Sequence, residues 1–272
     1  MPELPEVETT LCGIQPHINQ QQIKKITIRH HQLRWPIPVN ISTDLIKERI
    51  LSSQRRAKYL LLTTKKGTLI IHLGMSGSLR IVTHDLPAQK HDHVDIEFAN
   101  KKILRFTDPR RFGAFLWTEE DPFQHSLLKN LGPEPLEKTF SKKYLWEKAQ
   151  ARSVPIKSFI MDSKIVVGVG NIYATEALFL AKIHPLMPAK KITEQQADHL
   201  SKAIKDILRK AIKQGGTTLK DFVNSNGKPG YFSQSLKVYG RQELPCVNCS
   251  TPLQWQRINQ RSTVFCNGCQ QI

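Results

Sequence analysis

The sequence predicts an α+β fold whose first half is an antiparallel β-sandwich and whose second half is helical. Between Gln22 and Trp117, short runs rich in β-branched and aromatic residues alternate with turn residues, as in KKITIRH, KYLLLTT, GTLIIHL and HVDIEFA. Their spacing of about ten residues, without an intervening helical pattern, is typical of a sandwich. The region 194–213 instead carries apolar residues at helical spacing, which predicts a long amphipathic helix.

Further helices are expected around and after these strands. The first begins near Glu3, because Pro and acidic residues favour the first helical turn. The stretch LGPEPLE (131–137) breaks the strand pattern and is typical of a domain linker. The helices predicted beyond it span 141–150, 171–181 and 194–213. We therefore place the domains at 1–132, 133–226 and 237–272.

The composition is strongly basic and favours a polyanionic partner. Lys and Arg number 40 against 23 Asp and Glu, which gives a formal charge of +17 and a pI near 9.8. No apolar run approaches the roughly 18 residues of a membrane span, and the N-terminus has no signal-peptide pattern. We therefore expect an intracellular protein that binds nucleic acid and no membrane. Because no heptad pattern predicts an oligomer, we expect a monomer.

Four cysteines near the C-terminus have the spacing of a structural zinc site. Two C-x2-C pairs, Cys246 with Cys249 and Cys266 with Cys269, are separated by sixteen residues. Sulfur would occupy every position of a tetrahedral site, so the metal would hold the shape of this segment and would not perform chemistry. Disulfides are the alternative, which a reducing compartment disfavours.

The N-terminal string MPELPEVE has two interpretations. Removal of Met1 would leave Pro2 as a free secondary amine beside Glu3. The reference pKa of an α-amino group is about 7.7 to 8.0, so a sizeable fraction is neutral and nucleophilic near neutral pH. Attack by this amine on a sugar C1′ would give an iminium, which is an electron sink for elimination. The second interpretation is an ordinary helix start.

Several motifs follow one another along essentially the whole chain. In order they are PELPEVE (2–8), QRRAKYLLL (54–62), IHLGMSGSLR (71–80), KHDHVD (90–95), TDPRRFG (107–113), VVGVGNIYA (166–174), QGGTTLKDF (214–222) and the cysteine quartet. In this order they resemble the formamidopyrimidine-DNA glycosylases, which are bacterial base-excision repair enzymes. The resemblance implies a β-sandwich, a helix-two-turn-helix domain and a zinc-finger β-hairpin. It also implies a cytoplasmic, nucleoid-associated glycosylase and abasic-site lyase that acts on 8-oxoguanine and formamidopyrimidines in duplex DNA, without a catalytic metal.

The resemblance assigns roles to individual residues. Pro2 would attack C1′, while Glu3 would protonate the deoxyribose ring oxygen or relay protons. Lys58 would donate a proton in β-elimination, and Arg261 would contact DNA and act in δ-elimination. The residues assigned to DNA contact are Met75, Arg110 and Phe112, which would fill the gap left by an everted base, and His91, Arg152 and Asn171, which would lie at the DNA backbone.

The residues themselves allow simpler alternatives. Lys58 and Arg261 also suit a solvated basic surface, and Met75 and Phe112 also suit packing beneath their loops. Asn171 suits the N-cap of the helix IYATEALFL.

Three further patterns carry weaker signals. His91 and His93 share one face of a predicted strand and would allow a metal site, although no further ligand cluster is evident. GVGNIYA lacks the third glycine of a dinucleotide fingerprint, so we reject a nucleotide cofactor. The resemblance places a loop that closes over the damaged base at about 217–232, while the glycines before it also suit a simple helix stop.

The alternative functions are an oxidised-pyrimidine glycosylase of the endonuclease VIII type and a non-enzymatic zinc-containing nucleic-acid-binding protein.

Overall fold

The protein divides into two compact units in a computed structural model that describes residues 1–217 and 232–272. The first unit contains residues 1–129 and 214–217, and the second contains residues 130–213 and 232–272. A strand-rich first half and a helical second half confirm the predicted α+β class. The finer domain boundaries stay predictions.

The first unit begins with a helix and continues as a series of antiparallel strands. Its helices are α1 (Leu4–Ile18) and the single-turn α2 (Ile41–Asp44). Its strands are β1 (Ile23–Ile28), β2 (Ser52–Arg56), β3 (Tyr59–Thr63), β4 (Thr68–His72), β5 (Ser78–Val82), β6 (Asp92–Phe98), β7 (Ile103–Thr107) and β8 (Ala114–Thr118).

These strands form the predicted sandwich of two sheets. One sheet has the order β1-β6-β7-β5 and the other the order β2-β3-β4-β8, with every paired strand antiparallel. Residues of both sheets share one apolar core, which includes Leu60, Ile71, Val94 and Phe106. Burial of each such side chain stabilises the fold by about 1.5 to 3 kcal/mol.

Helix α1 belongs to the same core. Val7, Leu11, Ile14 and Ile18 recur at helical spacing and are all buried in the shared cluster. This amphipathic stripe fixes the helix against the sandwich. The chain immediately before α1 is therefore held in place by the core.

The second unit is helical and ends in a two-stranded hairpin. Its elements are α3 (Lys142–Gln150), α4 (Ile156–Met161), α5 (Asn171–Leu180), α6 (Glu194–Lys213), β9 (Gln254–Ile258) and β10 (Arg261–Phe265). The three predicted helices form within one or two residues of their expected bounds. The sequence prediction missed α4, because six residues are too few to show a helical period.

Burial explains the different patterns of α5 and α6. Every residue of α5 from Ile172 to Phe179 is buried, so this helix shows no polar face. Helix α6 buries only one stripe, and a reciprocal pair of hydrogen bonds between Thr193 and Gln196 caps its start at 3.0 and 3.1 Å.

None of the helices in the described ranges combines the length and hydropathy of a membrane-crossing helix.

Candidate active site and nucleic-acid interface

The chain start lies buried at the N-terminus of α1. Pro2 and Glu3 are both buried, and Glu3 is the N-cap residue, with 3% of its surface exposed. Glu3 and Glu6 form a capping box in which the Glu3 N–H donates to Glu6 Oε2 at 2.8 Å. The two interpretations of MPELPEVE are therefore compatible, since a well-capped helix start fixes the position of Pro2.

Glu6 holds a second segment at the same place. Its Oε1 accepts a hydrogen bond from the Thr217 N–H at 2.7 Å, and Glu6 is only 2% exposed. Thr217 is the last described residue before 218–231, and most of the loop predicted at 217–232 therefore lies outside the described residues. The sequence interpretation did not foresee this contact, because the two residues are 211 positions apart.

Lys58 lies in the two-residue turn that joins β2 to β3. Arg56 pairs with Tyr59 across this turn, and Ala57 adopts a left-handed conformation with φ of 54°. The turn is anchored to α1, because Arg55 Nε donates to Glu8 Oε2 at 2.6 Å and Arg55 Nη1 donates to the Ala57 carbonyl at 3.0 Å. The hairpin therefore brings the Lys58 backbone to the side of the sandwich that α1 covers.

The environment of His72, next to Lys58, is both enclosed and electropositive. The pKa of this histidine is lowered to about 4, first by burial and then by the positive charges of Lys58 and Arg34. The ring contacts Tyr59 at a centroid distance of 4.8 Å, and Nδ1 accepts the Gly74 N–H at 3.0 Å. This contact agrees with a structural role for His72.

Met75 and Phe112 lie on two neighbouring turns of the sandwich. Met75 is partly buried in the turn between β4 and β5, whereas Phe112 lies between β7 and β8 with 46% of its surface exposed. The guanidinium of Arg110 lies 5.0 Å from the centre of the Phe112 ring. Phe112 is therefore not packed beneath its loop, which was the simpler alternative for this residue.

The two histidines of KHDHVD have different environments. His91 is partly buried just before β6, whereas His93 is buried, with Nε2 2.8 Å from the backbone oxygen of Asp108. Among the described residues, only the cysteine quartet forms a group that could hold a metal ion. The histidine-pair metal alternative therefore has no structural support.

In the second unit, Asn171 and the β9–β10 hairpin are joined by a buried lysine. Lys157, only 1% exposed, donates from Nζ to Asn171 Oδ1 at 2.6 Å and to Thr263 Oγ1 at 2.7 Å. Asn171 Nδ2 also donates to the Ser262 carbonyl at 3.1 Å. The expected N-cap role of Asn171 is wrong: Gly170 is the N-cap, and the amide side chain of Asn171 binds the hairpin instead.

Arg261 is the first residue of β10 and is exposed. The turn before it consists of Asn259 and Gln260, both with positive φ, and Asn259 Nδ2 donates to Ser158 Oγ at 2.8 Å. The predicted hairpin is confirmed. Arg152 is likewise exposed, in the segment after α3, where its backbone N–H donates to the Ala149 carbonyl at 2.9 Å.

Glu176 is a buried carboxylate that the sequence interpretation missed. It is 1% exposed in α5 and accepts the backbone N–H groups of Lys237, Val238 and Tyr239 at 2.7 to 3.1 Å. Burial raises its pKa, while these N–H groups act in the opposite direction. The carboxylate thereby fixes the chain that leads into the cysteine-bearing segment.

The four cysteine sulfurs converge as their spacing predicts. The Sγ atoms of Cys246 and Cys269 lie 3.8 Å apart, those of Cys249 and Cys266 lie 3.4 Å apart, and all four lie within 4.8 Å of one another. Tetrahedral coordination with metal–sulfur bonds of about 2.3 Å needs edges of about 3.8 Å. The four residues therefore fit one structural metal ion.

Comparisons with known proteins agree over the full length. Residues 1–115 match the formamidopyrimidine-DNA glycosylase N-terminal domain, and residues 131–223 match the H2TH domain of the same enzymes. The formamidopyrimidine-DNA glycosylase of Teredinibacter turnerae is 56% identical over 99% of this chain and 100% of the relative. That of Hydrogenovibrio crunogenus is 55% identical over 99% of this chain and 96% of the relative.

Solved structures show the same likeness. The MutM (Fpg) protein of Thermus thermophilus is 34% identical, with a TM-score of 0.88 over 99% of this chain and 98% of that one. A mutant of Lactococcus lactis Fpg, in complex with DNA containing Fapy-dG, is 34% identical, with a TM-score of 0.92 over 100% of both chains. These findings do not favour the endonuclease VIII type or a non-enzymatic binder. The chain belongs to the formamidopyrimidine-DNA glycosylase family.

Proposed function

We propose that this protein is a base-excision repair glycosylase that removes oxidised purines from duplex DNA and then cleaves the abasic site. The observation that carries the proposal is the buried placement of Pro2 and Glu3 at the start of α1, in a chain more than half identical to named formamidopyrimidine-DNA glycosylases. The formal charge of +17 supports a DNA partner.

Pro2 is the proposed nucleophile once Met1 has been removed. Its nitrogen lone pair forms a bond to C1′ as the bond from C1′ to the base breaks, and the proton that the nitrogen loses goes to the departing base. Glu3 protonates the ring oxygen, so that the sugar opens and an iminium forms between the proline nitrogen and C1′. Because the capping box with Glu6 fixes the Glu3 backbone, the carboxylate and the amine share one rigid anchor.

The iminium then allows two eliminations. Loss of a C2′ proton expels the 3′ phosphate, and a second elimination expels the 5′ phosphate from the sugar. We assign proton transfer in the first elimination to Lys58, whose turn is anchored to α1 through Arg55 and Glu8. We assign the second elimination to Arg261, whose hairpin is held by Lys157.

The proposed DNA contacts are exposed or partly exposed groups, and each unit contributes some of them. Met75, Arg110 and Phe112 fill the gap that the everted base leaves in the DNA stack. The apolar side chains of Met75 and Phe112 serve as wedges, and Arg110 contacts the base that has lost its partner. The residues assigned to the DNA backbone are His91, Arg152 and Asn171. Lactococcus lactis Fpg has been solved in complex with abasic-site DNA and with Fapy-dG DNA, which supports lesion-containing DNA as the partner.

We propose that the metal of the cysteine quartet is a single Zn²⁺ held by Cys246, Cys249, Cys266 and Cys269. When bound, it would supply structural cross-linking and no open coordination position. Cys246, Cys266 and Cys269 pack in a small apolar cluster with Phe179 of α5 and Val264 of β10, so the ion would fix the hairpin against α5. We further propose that the protein acts as a monomer in the bacterial cytoplasm, on the nucleoid.

Borohydride trapping tests the function directly. The Met1-processed protein is incubated with duplex DNA bearing one 8-oxoguanine opposite cytosine, and the reduced adduct is mapped by mass. We expect an adduct at Pro2 that is absent from protein that retains Met1, because the Pro2 nitrogen is then an amide and is not nucleophilic. Tight binding without cleavage or trapping, both on this lesion and on an abasic site, would overturn the catalytic assignment. The same assay on a duplex that contains an oxidised pyrimidine shows whether the enzyme also acts on pyrimidine lesions. Lactococcus lactis Fpg has been solved in complex with such DNA.

A further inference from the structure

Asp108 is a fully buried carboxylate just beyond β7, with 0% of its surface exposed. Burying a carboxylate is costly unless hydrogen bonds satisfy its oxygens. Here Oδ1 accepts the Ser76 hydroxyl at 3.0 Å, and Oδ2 accepts the Gly113 N–H at 2.8 Å. These two donors belong to different turns, so one side chain fastens the Met75 turn to the Arg110–Phe112 turn.

The network continues on both sides of Asp108. Ser76 Oγ also accepts the Arg110 N–H at 3.2 Å, which places a second link between the two turns. The backbone of Asp108 reaches a third segment, because its N–H donates to the His91 carbonyl at 3.0 Å and its carbonyl lies 2.8 Å from His93 Nε2. The segments that carry Met75, His91 and Arg110, which are proposed to contact DNA, are thus all hydrogen-bonded to Asp108 or to its partner Ser76.

The backbones of the two turns are also in direct contact. Gly74 has a φ of 62°, and a Cβ at this position would lie 2.5 Å from the Gly113 nitrogen. A Cβ at Gly113 would in turn lie 2.9 Å from Asp108 Oδ2. Only glycine fits at either position, since real Cβ atoms do not approach so closely. The two turns therefore have no space to move independently while the Asp108 bonds are intact.

We propose that Asp108 is a positioning residue that presents Met75, Arg110 and Phe112 to DNA as one rigid wedge. Met75 and Phe112 each directly precede, in the chain, one of the two residues that donate to the carboxylate. Arg110 joins the network through its own N–H. The inference rests on the proposed function, because a wedge matters only to an enzyme that extracts a base from the stack.

Loss of the Asp108 contacts should affect two activities of the enzyme differently, namely excision of 8-oxoguanine and cleavage of an abasic site. Excision of 8-oxoguanine requires the wedge to enter the stack, whereas an abasic site holds no base to extract. Asp108→Asn keeps the shape of the side chain but turns one acceptor oxygen into a donor. If the remaining oxygen accepts the Gly113 N–H, the amide NH2 faces Ser76, whose hydroxyl loses its acceptor and whose oxygen must accept from both the amide and the Arg110 N–H. We expect excision from duplex DNA to fall at least tenfold, since small misplacements cost up to about a hundredfold in rate. Cleavage of a preformed abasic site should stay within about twofold of wild type.

Asp95→Asn is the matched control. Asp95 is also a buried carboxylate of the sandwich, 6% exposed and bound to Arg105 at 2.9 Å, but it lies within β6 away from both turns. A loss of stability alone should leave the ratio of excision to abasic-site cleavage unchanged in this variant. Ser76→Ala is the milder second variant if Asp108→Asn does not fold, and it should lower the same ratio by a smaller factor.

A double-mutant cycle with Phe112→Ala tests whether Asp108 acts through the wedge. If it does, adding Asp108→Asn to Phe112→Ala should cost excision much less than Asp108→Asn costs alone. Multiplicative effects, an unchanged excision rate in Asp108→Asn, or equal losses of excision and abasic-site cleavage would each overturn the inference. A wild-type protein inactive on both substrates would instead overturn the proposed function, and the inference with it.

Discussion

The buried carboxylate of Glu6 joins the start of the first helix to Thr217, which follows it by 211 residues. The Thr217 N–H donates to Oε1 at 2.7 Å, while Oε2 accepts the Glu3 N–H at 2.8 Å. Gly216 makes the approach possible, because a Cβ there would lie 3.1 Å from Oε1 and its φ is 83°. One side chain thus fixes both the proposed proton-transfer residue and the chain that leads towards the predicted lesion loop.

Replacing Glu6 with Gln should destabilise the first unit. Gln offers one acceptor oxygen where the two N–H donors need two, so one donor faces the amide NH2 group. We expect the free energy of unfolding to fall by about 1 to 3 kcal/mol, as measured by urea denaturation. Glu8→Gln is the control: its carboxylate is partly exposed and paired with Arg55 at 2.6 Å, so the loss should be below about 1 kcal/mol. Equal losses would contradict the importance of the Thr217 contact.

His72 should make stability depend on pH below neutrality. Its pKa is about 4 in the folded protein against 6.5 ordinarily, so the unfolded chain takes up the proton first. The stability due to neutral His72 is therefore complete above pH 6.5 and is lost as the pH falls towards 4, by about 3 kcal/mol in all.

The variant His72→Asn identifies this contribution. Asn retains an acceptor for the Gly74 N–H but does not titrate. Denaturant titrations at about pH 7 and about pH 4.5, on either side of the ordinary histidine pKa, should therefore show a smaller decrease for the variant than for the wild type. If both proteins lose the same free energy, other groups cause the acid sensitivity.

Lys157 should control the outcome of the second elimination. Lys157→Met removes the donor to Asn171 and Thr263, which leaves the Arg261 hairpin less firmly held. We expect the ratio of δ- to β-elimination product, resolved on a denaturing gel, to fall roughly tenfold. Lys164→Met, which removes an exposed lysine of the same unit, should leave the ratio unchanged. An unaltered ratio in Lys157→Met would argue against a role for the hairpin in that step.

Removal of the metal should affect the C-terminal hairpin and leave the sandwich folded. The Cys266 sulfur is buried among the other ligands, so Cys266→Ser should release the ion and loosen the hairpin. We expect the metal content to fall from one ion per chain to near zero and DNA affinity to fall at least tenfold. Ser250→Ala, an exposed position between the two cysteine pairs, should retain the metal. Full metal content in Cys266→Ser would exclude the tetrahedral cysteine site.

The sequence determined the features that depend on local periodicity and spacing. Alternating apolar residues predict the strands of the sandwich, because successive side chains point to opposite faces. The stripe of α6 predicts its length to the residue at its C-terminal end, Lys213. The two cysteine pairs predict convergence of four sulfurs, because each pair forms a short turn whose thiols share one side. The order of the motifs along the chain also identifies the family.

Tertiary structure decided which polar groups meet. Asp108 finds Ser76 across 32 residues and Lys157 finds Thr263 across 106, and no local pattern marks either pair. Asn171 shows the same limit, since its type and position suit an N-cap while its side chain binds the hairpin. Local propensity acts over a few residues, whereas a buried polar group takes whichever partner the packed chain places beside it. The positions of the proposed catalytic residues therefore follow from the sequence, but the bonds that hold them in place follow from the fold.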